Sequence, residues 1–253
     1  MAQLQRLAIA PDQMQNQQIT LTIDQQHYLT RVLRLQAGDH FIVIDAQGQW
    51  WLAALKLNRN QAEVLKPILV ETELPLSITL IAALPKGNGF DEVVRQVTEL
   101  GVTRIAPVLS DRTLLKPSPR KLERWRRIAQ EAAEQSQRQI VPEVLNPLSF
   151  AQSLQIVHQI HGYPPLQRYL CVTHPTAPLL LHCLQSTSLS GISILTGPEG
   201  GWTEAEIEQA ITSGYQPVSL GCRILRAVTA PVAALALISA AVELNQQTLS
   251  KRI

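Results

Sequence analysis

Ile194-Leu195-Thr196-Gly197-Pro198-Glu199-Gly200-Gly201 runs an apolar strand straight into three glycines and a proline. A helix-start signal follows at once, with Thr203 three residues ahead of Glu206 as a capping box. Strand, bare backbone and capped helix in that order predict an α/β unit whose loop admits a ligand or another chain segment close to the main chain. A phosphate-binding loop is excluded by residue type: no Gly-Lys-Ser/Thr follows, and Glu199 would repel phosphate. A carboxylate beside bare backbone suits a ligand with hydroxyls or a positive centre. A tight turn that uses glycine for geometry alone accounts for the same residues.

About twenty residues on, Ser219-Leu220-Gly221-Cys222-Arg223-Ile224-Leu225-Arg226-Ala227-Val228-Thr229-Ala230 repeats the pattern of short strand, glycine, loop and helix. Ile224 and Leu225 are an apolar pair of the kind that walls an adenine, with Arg226 at the mouth of the same pocket. The alternative is a loop whose arginines are merely solvated.

Outward from these loops, the chain alternates strands and helices. Strands are expected at 78–84, 105–109, 169–173, 192–196 and 218–220. Helices are expected at 90–100, 120–137, 178–185, 203–212 and 231–245, the last with Pro231 in its first turn. Alternation of this kind predicts a mainly parallel sheet. Residues 146–168 are hard to assign, with a helix plus a loop as the expectation. The first 70 residues differ: a short strand around Leu21 and Ile23, a helix over 25–35 capped by Asp24, strands at 41–44 and 50–55 joined by a hairpin loop at 46–49, and a strand at 62–70. Residues 71–75 read as a linker, so the expected domains are a small β module at 1–72 and an α/β domain at 73–253.

Composition narrows the function classes. The 253 residues are 45% hydrophobic and 17% charged, a globular balance. A net charge of +2 neither requires nor excludes a nucleic-acid partner, so clustering of charge decides. Cys171, Cys183 and Cys222 form no CxxC pair, and neither His158 with His161 nor His174 with His182 makes a full ligand set, so no metal is expected. The N-terminus lacks a signal-peptide core, and the apolar run 228–242 is too short and alanine-rich to span a bilayer. A cytoplasmic protein with no membrane partner is expected.

Basic residues do cluster. His27, Arg31 and Arg34 fall at i, i+4 and i+7 of the expected first helix, hence on one face. Lys116, Arg120, Lys121, Arg124, Arg126 and Arg127 lead the long helix. Either group suits phosphate contacts, and either also suits a plain solvated face.

The strand-Gly-Pro-Glu-Gly-Gly segment and the Leu220-Gly221-x-Arg223-Ile224-Leu225-Arg226-x-x-Thr229-Ala230 segment together resemble the RsmE family of SPOUT-class methyltransferases. Further blocks agree across nearly the whole chain: Lys86-Gly87, Thr98-Glu99-Leu100-Gly101-Val102, Ser110-x-Arg112, Glu131-Ala132-Ala133-Glu134-Gln135-Ser136 with Arg138 and Pro142, and His27-Tyr28-Leu29 with Arg31-Val32-Leu33-Arg34. The resemblance implies an N-terminal PUA-like small β-barrel that binds RNA. It also implies a C-terminal α/β domain with a deep trefoil knot, a homodimer, and methyl transfer from S-adenosylmethionine to N3 of a uridine in 16S rRNA of the small ribosomal subunit. Carried over residue by residue, it places the cofactor against Thr173 and His174, against Leu195, Thr196, Gly197, Glu199 and Gly200, and against Leu220, Gly221, Ile224 and Leu225. Arg226 is the expected stabiliser of the uridine anion. Glu199, Glu134 and His174 are open as general base. His27, Arg31, Arg34, Lys86 and Arg112 are the expected RNA contacts. Three positions depart from the family pattern: Val228 replaces a glutamate, Gly89 a basic residue and Gln96 a lysine. These leave open a SPOUT enzyme for another RNA site, such as a ribose 2′-hydroxyl, and an RNA-binding homologue with weakened catalysis.

Overall fold

Local chemistry sets the first elements. A computed structural model describes residues 4–68, 72–114, 117–159, 166–185 and 191–250. The chain divides into two compact units, residues 1–73 with 133–141, and residues 74–132 with 142–253.

In the first unit, β1 (Arg6–Ala8), β2 (Met14–Gln15), β3 (Gln18–Thr20), β4 (His40–Ile44), β5 (Trp50–Leu55) and β6 (Gln61–Ile68) form a sheet of order β1-β4-β5-β6-β3-β2. Among the described residues, only the β1–β4 pair of this sheet is parallel. The register of β5 on β6 slips between Leu52 and Ala53, an irregularity that raises local twist and curls the sheet. Alternate residues point inward, so Ile19, Phe41, Val43, Ala53, Leu55 and Ala62 pack with Leu29 as the core.

Helix α1 (Ile23–His27) corrects the expected start. Thr22, not Asp24, is the cap: its hydroxyl accepts from the Gln25 N–H while the Gln25 side chain returns to the Thr22 N–H. Asp24 sits in the first turn, where its charge meets the positive helix end. The expected helix over 25–35 is also corrected. After His27 the backbone widens to a π turn over Tyr28–Val32, closed by the Leu33 N–H on the Tyr28 carbonyl, and Arg34 has φ 57°. The i, i+4, i+7 spacing therefore does not describe one regular helical face. The short strand expected around Leu21 and Ile23 lies earlier, at β3, and Ile23 is exposed on α1.

Residues 133–141 belong to this unit. The Arg138 guanidinium meets the Glu73 carboxylate at 2.6 Å, and Glu73 also accepts from the Gln139 and Ile140 N–H groups. Glu134 accepts from the Ala8 N–H at 2.9 Å.

In the second unit, β7 (Ser77–Ala83), β8 (Arg104–Leu109), β9 (Glu143–Val144), β10 (Leu148–Ser149), β11 (Gln167–Cys171), β12 (Gly191–Thr196) and β13 (Gln216–Val218) make an all-parallel sheet. Its order is β10-β8-β7-β12-β11-β13, with β9 also on β8. Both faces are covered, so its strands read as continuous apolar runs; every residue of β12 is buried. Helix α2 (Gly89–Glu99) buries Phe90, Val93, Val94 and Val97 at helical spacing. Phe90 meets Trp125 of α3 (Pro119–Gln135) edge-on, and Trp125 donates to Asp91. Helices α4 (Phe150–Gln159), α5 (Leu180–Leu184), α6 (Glu204–Thr212) and α7 (Thr229–Ser250) complete the unit. The α/β class with an N-terminal curled sheet is borne out. The unassigned stretch 146–168 holds β10, α4 and the start of β11, while His161 and the rest of 160–165 lie outside the described residues.

Candidate active site

Parallel strands end on the same side of a sheet, and the loops that follow them form the natural crevice of an open α/β fold. Here the loops after β11, β12 and β13 line a cavity of about 270 Å³, with the first turn of α7 as its fourth side. Its wall comprises Cys171 to Thr173, Gly197, Pro198 and Gly200 to Trp202, then Leu220 to Leu225, with Arg112, Ile207, Ala227 and Ala230.

The β12–α6 loop is braced from several directions. Beneath it lies Trp202: a Cβ added at Gly197 would stand 3.3 Å from the indole Nε1 and Cε2. Above it, Arg112 Nη1 donates to the Gly200 carbonyl at 2.5 Å and to the Trp202 carbonyl at 3.4 Å. Glu199 accepts from the Lys86 N–H at 3.0 Å, which ties the loop to the one after β7. Glu206 caps α6 through Thr203 and also accepts from the Asp111 N–H. Gly201 takes φ 70°, a conformation that favours glycine.

Two buried polar atoms at this loop, Thr196 Oγ1 and Trp202 Nε1, have no hydrogen-bond partner among the described residues. An unpaired buried donor or acceptor costs about 1–3 kcal/mol, so such atoms mark places where a ligand or solvent completes the structure. Burial pushes the Cys171 thiol up to about 12, so it stays neutral at ordinary pH and is no general base.

The family model described as "RNA methyltransferase domain" matches residues 72–239, and that described as "RNA methyltransferase PUA domain" matches residues 21–66. Ribosomal RNA small subunit methyltransferase E of Synechocystis is 52% identical over 94% of this chain and 78% of its own length. The protein of that name from Bacillus subtilis is 31% identical over 89% of this chain and 91% of its own. The chain belongs to the RsmE family. The crystal structure of the Neisseria gonorrhoeae member bound to S-adenosyl methionine superposes with TM-score 0.82 at 32% identity, over 94% of this chain and 98% of that one. A putative methyltransferase of Legionella pneumophila, solved with bound SAM, gives TM-score 0.80 at 25% identity, over 95% and 98%.

Against this geometry the residues singled out by sequence divide into groups. Thr173, Gly197, Gly200, Leu220, Gly221, Ile224 and Leu225 line the cavity. Leu195 does not; it is wholly buried in the core packed against α6. Thr196 is buried and outside the lining. His174 is outside the lining and pairs through Nδ1 with Thr176 Oγ1 at 2.9 Å. Glu199 and Arg226 are exposed outside the lining. Arg226 contributes its carbonyl to the start of α7, accepting from Thr229 and Ala230, and its guanidinium makes no hydrogen bond to the described residues. Glu134 lies in the first unit and holds β1.

Among the expected RNA contacts, His27, Arg31 and Arg34 are exposed in the first unit, and Lys86 is exposed beside Glu199. Arg112 spends one nitrogen on loop carbonyls rather than standing free. Three of the six residues of the second basic cluster are internally engaged: Lys121 with the Gly87 carbonyl, Arg124 with Asp91, Arg126 with Val144 and Asn146. Lys116 lies outside the described residues. Sequence reasoning missed Trp202, Cys171 and Cys222 as lining. Trp202 directly follows the glycine run, and that adjacency is the signal that could have found it. Among the described residues no group of three or more His, Cys, Asp or Glu could hold a metal, and no helix is long and apolar enough to cross a membrane.

Proposed function

We propose that this chain transfers a methyl group from S-adenosylmethionine to N3 of a uridine in 16S rRNA of the small ribosomal subunit. The observation that carries the reading is the cradle at the end of β12. Gly197 and Gly200 bring their backbone to the lining, Ile224 and Leu225 offer an apolar wall, and the buried Thr196 Oγ1 and Trp202 Nε1 have no hydrogen-bond partner among the described residues. These residues fit the cofactor, with Thr173, Gly197, Gly200, Leu220, Gly221, Ile224 and Leu225 holding it. The bound cofactor supplies an electrophilic methyl group on a sulfonium.

The chain's own residues do the rest. Uridine N3 lies between two carbonyls, and its negative charge after proton loss spreads to O2 and O4. Arg226, exposed and free of hydrogen bonds to described residues, is the cation that stabilises that charge. Glu199 is the acid nearest in sequence to the cradle, already aligned by the Lys86 N–H, and serves as the base through its second oxygen. The N-terminal unit positions RNA through His27, Arg31 and Arg34, with Lys86 as a contact from the second unit. The trefoil threading of the class is part of this reading. So is a cytoplasmic homodimer, for which the exposed face of α7 with Ala236, Ala240 and Leu244 is the surface.

Isothermal calorimetry with S-adenosylmethionine, beside mass mapping of 16S rRNA from a deletion strain, tests the core of the proposal. Binding and one lost N3-methyluridine are expected; an unchanged rRNA map refutes the substrate. Light scattering that finds only a 28.0 kDa particle refutes the dimer. Loss of one phosphate contact in Arg31→Ala lowers the slope of log affinity against log salt by about 0.7 to 0.9, and an unchanged slope removes Arg31 from the RNA surface.

A further inference from the structure

We propose that Arg112 is a positioning residue that clamps the Gly197–Trp202 loop into its cofactor-receiving shape, and that Gly200 is glycine to let this arginine pass. The inference rests on the cofactor site proposed above and assigns Arg112 a role other than RNA contact.

The geometry is specific. A Cβ built on Gly200 would stand 3.1 Å from Arg112 Cδ, 3.5 Å from its Cβ and 3.8 Å from its Cγ. The aliphatic stem of Arg112 therefore lies over the bare Gly200 Cα. The guanidinium at its end reaches two carbonyls of the same loop, those of Gly200 and Trp202. Gly200 lacks the left-handed φ of its neighbour Gly201, so its backbone does not itself demand glycine. Space for the arginine does.

The platform under Arg112 is rigid. Ser110 and Thr113 close the turn through a hydroxyl pair at 2.7 Å, and the Ser110 N–H donates to Thr113 Oγ1. Asp111 donates its N–H to Glu206 Oε1 and accepts from Thr203 Oγ1, so the β8 loop is pinned to the N-terminus of α6. The carbonyls that Arg112 holds belong to the loop that lines the cavity, and Arg112 itself lines it. Turning those carbonyls toward a guanidinium fixes the peptide planes between Gly200 and Trp202. It thereby fixes which backbone groups face the ligand, the preorganisation that binding rewards.

The test is a double-mutant cycle read by cofactor calorimetry and steady-state kinetics on the full chain. Arg112→Ala is expected to weaken S-adenosylmethionine binding about tenfold, the scale of one lost charged hydrogen bond. It raises KM for the cofactor and leaves kcat within about twofold, because the clamp acts on binding and not on the transition state. Arg112→Lys, which restores one donor, recovers part of the affinity. Gly200→Val weakens binding in the parent but costs little further in the Arg112→Ala background, because the obstructed side chain is gone. Fully additive losses overturn the proposal, since the glycine would then serve the ligand directly. Unchanged cofactor affinity in Arg112→Ala overturns it, as does a loss confined to RNA affinity. A parent protein that binds no S-adenosylmethionine takes down the cofactor site as well, and is distinguished by that control.

Discussion

Two loops face each other across the cavity, and they are built in opposite ways. The Gly197–Trp202 loop is held by Arg112 and Glu199 and seated on a buried tryptophan. Among the described residues the Leu220–Leu225 loop has local side-chain ties, a Ser219 hydroxyl bonded to both the N–H and the carbonyl of Gly221 and the Arg223 guanidinium on the Cys222 sulfur, and Ile224 is 85% exposed. One side of the cavity has its backbone braced by the fold and presents two buried polar atoms for a ligand to meet; the other carries an exposed apolar side chain. The contrast assigns pre-formed backbone recognition to the first loop and ligand-completed burial to the second.

The largest expected effect lies just beyond the open loop. Arg226→Ala should slow single-turnover methyl transfer by about 10² or more, as when a charge-stabilising donor is lost, with RNA binding nearly intact. A variant that methylates at the parent rate would end the assignment of Arg226. Next is Ile224→Ser. If the ligand covers Ile224, removing its apolar surface forfeits about 1.5 kcal/mol, or roughly tenfold in cofactor affinity. The melting temperature of the free protein should not move, because the side chain is already in solvent; calorimetry and a thermal melt decide it together. Thiol chemistry gives a third, smaller contrast. Cys222 is exposed on the open loop, whereas burial drives the Cys171 thiol up to about 12. At pH 8 an alkylating reagent should label Cys222 first and leave Cys171 untouched, and S-adenosylmethionine should slow the labelling; peptide mass spectrometry reports both sites. The smallest effect is expected for Trp202→Phe. Lost ring burial is offset by relief of the unpaired indole N–H, so stability in urea should stay within about 1 kcal/mol of the parent. A larger drop would mean the indole nitrogen is satisfied in solution.

The sequence made local signals visible and long-range ones invisible. Strand β5, the burial of β12 and the Thr203–Glu206 box all rest on neighbours within a few residues, and they appear where residue type and period place them. Two of the three cavity loops, those after β12 and β13, carry the glycines that announce them; the loop after β11 has none, and only the family resemblance points to it. Arg112 meets Gly200 across 88 positions, and no periodicity predicts such a meeting. The first helix failed differently: a 3.6-residue period was assumed through Arg34, but the backbone widens to a π turn at Tyr28 and turns left-handed at Arg34. Strand β1 was missed because three residues paired in parallel with β4 carry too short a pattern to read.

Two of the departures from the family pattern, Gly89 and Val228, turn out to be neighbours. A Cβ added to Gly89 would come within 2.7 Å of Val228 Cγ1. A side chain at position 89 would press on Val228, and one of the two must shift to admit it. The two departures are therefore coupled through packing, and substitutions at 89 and 228 should be non-additive in stability.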